Sequence, residues 1–175
     1  MIMKKFITII LGTSAVIAIF FVPATLFAAT FNNDSRDFQT LRAGNYTKNP
    51  TTPSSAWTTS VNADGGDIVN MAVYYHNTGS DTARNVRVKL TPQTTSVSTS
   101  QVFLVTILAD NSASVSGSAT VLLSSSQSIT FNGNVSWLPD QRQSGSQTLP
   151  SGQTGYELFS SSGLNIGDIA SGWST

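Results

Sequence analysis

DIVNMAVYYHNTGSDTARNVRVKLTP, residues 67–92, is the stretch whose reading decides the fold. From Ile68 to His76 the side chains alternate. Val69, Met71, Val73 and Tyr75 fall on one face; Ile68, Asn70, Ala72, Tyr74 and His76 fall on the other. Successive residues of a strand point to opposite faces, so this is a strand with one side in a core. Asn77-Thr78-Gly79-Ser80-Asp81 supplies a polar reversal. The alternation resumes from Ala83 to Leu90, with Val86, Val88 and Leu90 inward and Arg87 and Lys89 outward. Pro92, which has no N–H to donate, closes the run. The reading is a central hairpin: strand, turn, strand. Burial of the first strand's four inward side chains is worth about 1.5–3 kcal/mol each before entropy is charged against it.

The same residues carry a resemblance. Gly66-Asp67, Val69, Met71, Val73, Tyr75, Asn77-Thr78-Gly79, Ala83, Asn85-Val86, Val88, Leu90 and Pro92 form a pattern that resembles the bacterial conserved-repeat family, also called domain of unknown function 11. The resemblance implies an all-β, immunoglobulin-like antiparallel β-sandwich in an exported envelope protein. It implies no catalytic residue, and this chain holds a single copy of the pattern.

Working outward, Thr30 to Asp37 is a polar lead-in, and Phe38 to Arg42 has the length of a short strand. Asn45 to Ser55 contains Pro50 and Pro53, which exclude a central strand there. Trp57 to Ala63 alternates again, and Asp64-Gly65-Gly66-Asp67 is a turn signal. Its two carboxylates are too few for a dedicated calcium loop, so Asp64 and Asp67 are read as turn formers. Val102 to Leu108 is almost continuously apolar, as a strand covered on both faces is. Ala109-Asp110-Asn111-Ser112 turns the chain. Ser118 to Leu123 and Gln127 to Phe131 read as strands separated by Ser124 to Ser126, and Val135 to Leu138 as a further one. Asn132-Gly133 reads as a tight turn or a bulge. Leu164 to Trp173 resembles the family's lead into a final strand, and no strand-length segment follows it before Thr175. The expectation is a sandwich lacking its closing strand. A longer chain, the Phe38 or Trp57 segment, or a second subunit would then fill the gap.

Lys4 and Lys5, the apolar run from Phe6 to Val22, and the stretch from Ala24 to Ala29 have the three-part plan of a secretory signal. Cleavage falls after Ala28 or Ala29; the alternative is a retained anchor, since about 20 apolar residues span a bilayer. The domain plan is therefore signal over 1–29, lead-in over 30–56 and sandwich over 57–175.

Composition narrows the function. Ser and Thr number 26 and 22 of 175 residues, and charged residues make up 10%. There is no Cys, one His and, in Glu157, one Glu. No basic cluster suits nucleic acid. Nothing joins a nucleophile to a base and an oxyanion site, and no metal or cofactor motif occurs. Asn45 and Asn134 begin glycosylation sequons that a bacterial setting leaves idle. What remains is a non-enzymatic structural or adhesive surface domain, its partners other envelope proteins or copies of itself, its membrane contact limited to the N-terminal segment. The second reading is a carbohydrate-binding module. Trp57, Tyr74, Tyr156 and Trp173 are its candidate ligand-binding residues, with Trp57, like Trp137, more economically read as core, and His76 is read as a solvent-side residue.

Overall fold

The computed structural model describes residues 29–138 and 147–172; residues 1–28 of the signal segment expected over 1–29, and Trp173, lie outside the described residues, while Ala29 is described and buried. Among the described residues no helix is long and apolar enough to cross a membrane. The described residues are all-β, with seven strands in two sheets. β1 (Leu41–Asn45) pairs antiparallel with β3 (Val69–Val73). The larger sheet takes β2 (Ser60–Ala63), β4 (Ala83–Pro92), β5 (Ser98–Ala109), β6 (Ser112–Gln127) and β7 (Leu164–Ile169) in the order β2-β6-β5-β4-β7.

The expected hairpin is not one. Both strands of the 67–92 stretch form, but β3 joins β1 while β4 lies between β5 and β7 in the other sheet. Residues 74–82 are a crossover between layers, not a reversal within one. Alternation reports which face of a strand is buried and says nothing about its neighbour. The consecutive strands that do pair are β4–β5, joined through residues 93–97, and β5–β6, closed at Asp110 and Asn111 with Ala109 opposite Ser112.

Four further expectations change. Leu164–Ile169, read as the lead into a final strand, is itself a strand along β4, with Leu164 and Ile166 buried. β6 runs unbroken through Ser124 to Ser126, because serine hydroxyls sit comfortably on an exposed strand; 128–138 carries only an isolated bridge from Trp137 to Gln147. β2 runs parallel to β6, so the sandwich is not wholly antiparallel. The outer face of β5 (Val102, Leu104, Thr106, Leu108) is half-buried, not covered.

The core lies between the sheets. Phe103, Val105 and Ile107 of β5, Val86 and Val88 of β4 and Val121 of β6 meet Leu41 and Ala43 of β1. Phe31, Leu41 and Ala43 are 4%, 0% and 1% exposed, so the boundary expected at residue 57 cuts through the core. Val69, Met71 and Val73, opposite Asn45, Ala43 and Leu41, pack on it half-buried. Two local devices hold this arrangement. Asn85 has φ 51° and forms a bulge in β4, which resets the alternation so that Ala83 and Val86, three apart, both point inward. At Gly117 in β6 a Cβ would lie 2.8 Å from Thr40 Cβ and 3.1 Å from the Leu41 nitrogen, so β1 rests directly on the backbone of the facing sheet. Gly117→Val is expected to force the layers apart and lower stability by about 1–3 kcal/mol, read from urea denaturation midpoints.

Candidate functional site

The face of β3 that carries Asn70 and Ala72 continues past its end into Tyr74 and His76, and the segment before β1 folds over it. Asn32 has φ 51°, a conformation Asn tolerates. Its backbone N–H donates to the His76 carbonyl at 2.9 Å, and its side-chain oxygen accepts from the His76 N–H at 2.8 Å. Asp37, brought round by the Asp34–Asp37 turn, accepts on one oxygen from the Tyr74 hydroxyl at 2.9 Å and lies 2.7 Å from His76 Nδ1. The side chains of His76 and Asp37 are 7% and 3% exposed, so His76 is buried rather than solvent-facing. Its strand position pointed away from the core, but the 30–40 segment covers that side. Burial first, and the Asp37 hydrogen bond second, raise the Tyr74 pKa, so its phenol serves as a donor. Phe38 meets the Tyr74 ring edge-on at 5.4 Å, and the Arg42 guanidinium lies 4.2 Å from the Phe38 centroid.

Beside this cluster Asn77 is fully buried. Its amide donates to the carbonyls of Asp81 at 2.7 Å and Ile169 at 3.0 Å; its oxygen accepts from Gly79 N–H at 3.1 Å and Thr30 N–H at 3.4 Å. One side chain thus joins the N-terminal segment, the crossover and the end of β7.

A second place is a cleft of about 340 Å³ on the outside of β1. The Trp57 indole lies flat against Gly44, where a Cβ would collide with Nε1; that N–H donates to the Thr52 carbonyl at 3.2 Å. Trp57 is half-buried and lines the cleft with Lys48, Asn49, Thr52 and Asn62. Asn45 anchors the floor, its amide donating to the Asn62 carbonyl at 3.0 Å and to Asp67 Oδ2 at 2.8 Å. Lys48 Nζ is 2.6 Å from Asp64 and 3.6 Å from Asp67, so an ammonium already sits between the two carboxylates. Asp67 also accepts from the Asp64 N–H at 2.9 Å, the closure of a turn. Among the described residues no three of His, Asp and Glu gather as metal ligands.

The candidate sugar-binding aromatics do not come together. Tyr74 is tied to Asp37 and Phe38. Tyr156, 60% exposed, belongs to a separate group with Phe131 and Phe159, at centroid distances of 5.1 Å from Phe131 to each. Trp173 lies outside the described residues. Trp137 packs half-buried against the core and donates to the Tyr75 hydroxyl at 3.1 Å. Trp57, read as core, instead lines the cleft. The missed element is Asp37, whose partners are 37 and 39 residues away. No family model, curated protein or solved structure matches the chain.

Asn77→Ala leaves buried carbonyls and N–H groups without partners, and a loss of about 1–3 kcal/mol is expected in urea unfolding. The Asp64 N–H first, and the Asn45 amide second, hold the Asp67 carboxyl below its ordinary value of 3.8. A depressed folded value means that the contribution is present above pH 3.8 and is lost as pH falls through the lower folded value. Thermal melts of Asp67→Asn should therefore show a shallower acid decline over that window than melts of the unsubstituted protein.

Proposed function

We propose that the chain is an exported, non-catalytic structural or adhesive domain of a bacterial cell envelope, built as an immunoglobulin-like sandwich. The observation that carries the reading is the deployment of its reactive side chains. Asp37, Tyr74 and His76 are the closest the described residues come to a catalytic constellation. The side chains of Asp37 and His76 are buried, Tyr74 is half-buried, and the three tie the 30–40 segment to the end of β3. A site built for chemistry needs a reacting atom within reach of substrate; this one is closed by its own fold.

Three further features support the reading. The signal-like segment over 1–29 directs the chain outward. The 67–92 pattern resembles an envelope family, and its Asn77 and Asn85 occupy structural positions, one a buried tie and one a bulge. The hydroxyl-rich, sparsely charged composition suits a surface that meets other proteins without strong electrostatic steering. Partners are then other envelope proteins or copies of this chain.

Expression of the full chain with a C-terminal epitope tag in a bacterial host tests the proposal. Cell fractionation and protease shaving should find the tag outside the cytoplasmic membrane, and a variant lacking residues 2–28 should stay in the cytoplasm. A full-length chain recovered from the cytosol with its N-terminus intact overturns the export reading.

A further inference from the structure

We propose that the cleft beside Trp57 binds a neutral mono- or disaccharide. A pyranose ring offers an apolar C–H face and a rim of hydroxyls, each both donor and acceptor. Its recognition takes a flat aromatic surface flanked by planar amides and hydroxyls. The cleft supplies the indole of Trp57 with the side chains of Asn49, Asn62 and Thr52 at its margin. Among the described residues those three side chains make no hydrogen bond, whereas neighbouring Asn45, Lys48 and Asp67 are engaged with one another. The lining residues with side-chain donors and acceptors to spare are thus Asn49 and Asn62, both exposed, and half-buried Thr52.

Charge and size select the class. No carboxylate lines the space about Trp57, and the one ammonium there, on Lys48, is paired with Asp64 at 2.6 Å. Neither sign of charge on a ligand is favoured. A volume of about 340 Å³ lies at the low end for small-molecule sites, which run from about 300 to 1,000 Å³. That suits one short sugar rather than a long chain.

The site is also built in advance. Ala43 and Thr58 exchange backbone hydrogen bonds of 2.8 and 3.2 Å on one side of the indole. The loop is closed by Asn49 N–H to the Asn45 carbonyl at 3.0 Å and Thr52 N–H to the Asn49 carbonyl at 3.2 Å. Little ordering is left for a ligand to impose. The exposed aromatic group around Tyr156 lacks this form, since its rings stand at 82° and 54° to Phe131 and present no flat platform.

The test is calorimetric titration of the exported, purified chain with methyl glycosides and disaccharides of glucose, galactose, mannose and N-acetylglucosamine. Saturable binding of at least one is expected. Trp57→Ala and the double variant Asn49→Ala/Asn62→Ala should each weaken it at least about tenfold, and Tyr156→Ala should leave it unchanged. Asn49 and Asn62 are exposed, so the double variant keeps its melting temperature and decides the matter even where Trp57→Ala unfolds. Absence of saturable binding to every sugar up to roughly 10 mM, or binding that the double variant retains in full, overturns the proposal.

Discussion

The fully buried amide of Asn77 is the contact on which the arrangement of the chain depends. It sits where the polypeptide leaves one sheet for the other, and its donors and acceptor meet the N-terminal segment, the crossover and the end of β7. Such a group is costly in an apolar interior unless every capacity is used. That cost penalises any packing in which these segments do not meet. The Gly172 N–H, donating to the Asn77 carbonyl at 2.8 Å, binds the same corner through the backbone.

A second constraint follows from the first. Once 74–82 crosses between layers, β3 and β4 cannot pair, and each must find other neighbours. β1 satisfies β3. β4 is flanked by β5 and β7, and the bulge at Asn85 adjusts its register to both. Asn85 is well placed for this: its side chain reaches Asp110 at the hairpin tip, and its N–H donates to Asp168 of β7 at 2.8 Å. The segment around Thr58 makes the same passage earlier in the chain, bonding to Ala43 of the small sheet before β2 runs beside β6 in the large one, and residues 64–68 return the chain from β2 to β3. Three crossings between β1 and β4 thus stitch the layers at different places, while Gly117 lets them approach.

Polar chemistry is divided accordingly. Inside, Asp37, Tyr74, His76, Asn32 and Asn77 act as ties between remote segments. Outside, the Pro-containing loop over 46–56 folds back on β1, and its amides and Trp57 are left around a cleft. The prolines that excluded a strand from this region in the sequence are compatible with the short 3-10 turn observed at Ser54–Ala56. The aromatic residues that looked most available for stacking were either absorbed by neighbours, as Tyr74 was, or grouped at steep angles, as Tyr156 was.

The amino-acid sequence alone determined the all-β class, strands within Val69–Val73 and Ala83–Pro92 with the side of each that faces the core, and a strand over 102–108 that it read as covered on both faces. Those features follow from the period of two, a local property of extended backbone that apolar residues print directly into the chain. Only the tertiary structure decided the partners: β3 with β1, β2 parallel to β6, Leu164–Ile169 as an edge strand, and Asp37 with His76. A strand's hydrogen-bonding groups are the same whatever its neighbour. The choice is made by non-local packing, here by how small residues such as Gly117 and buried amides such as Asn77 let distant segments meet, and alternation carries no record of it.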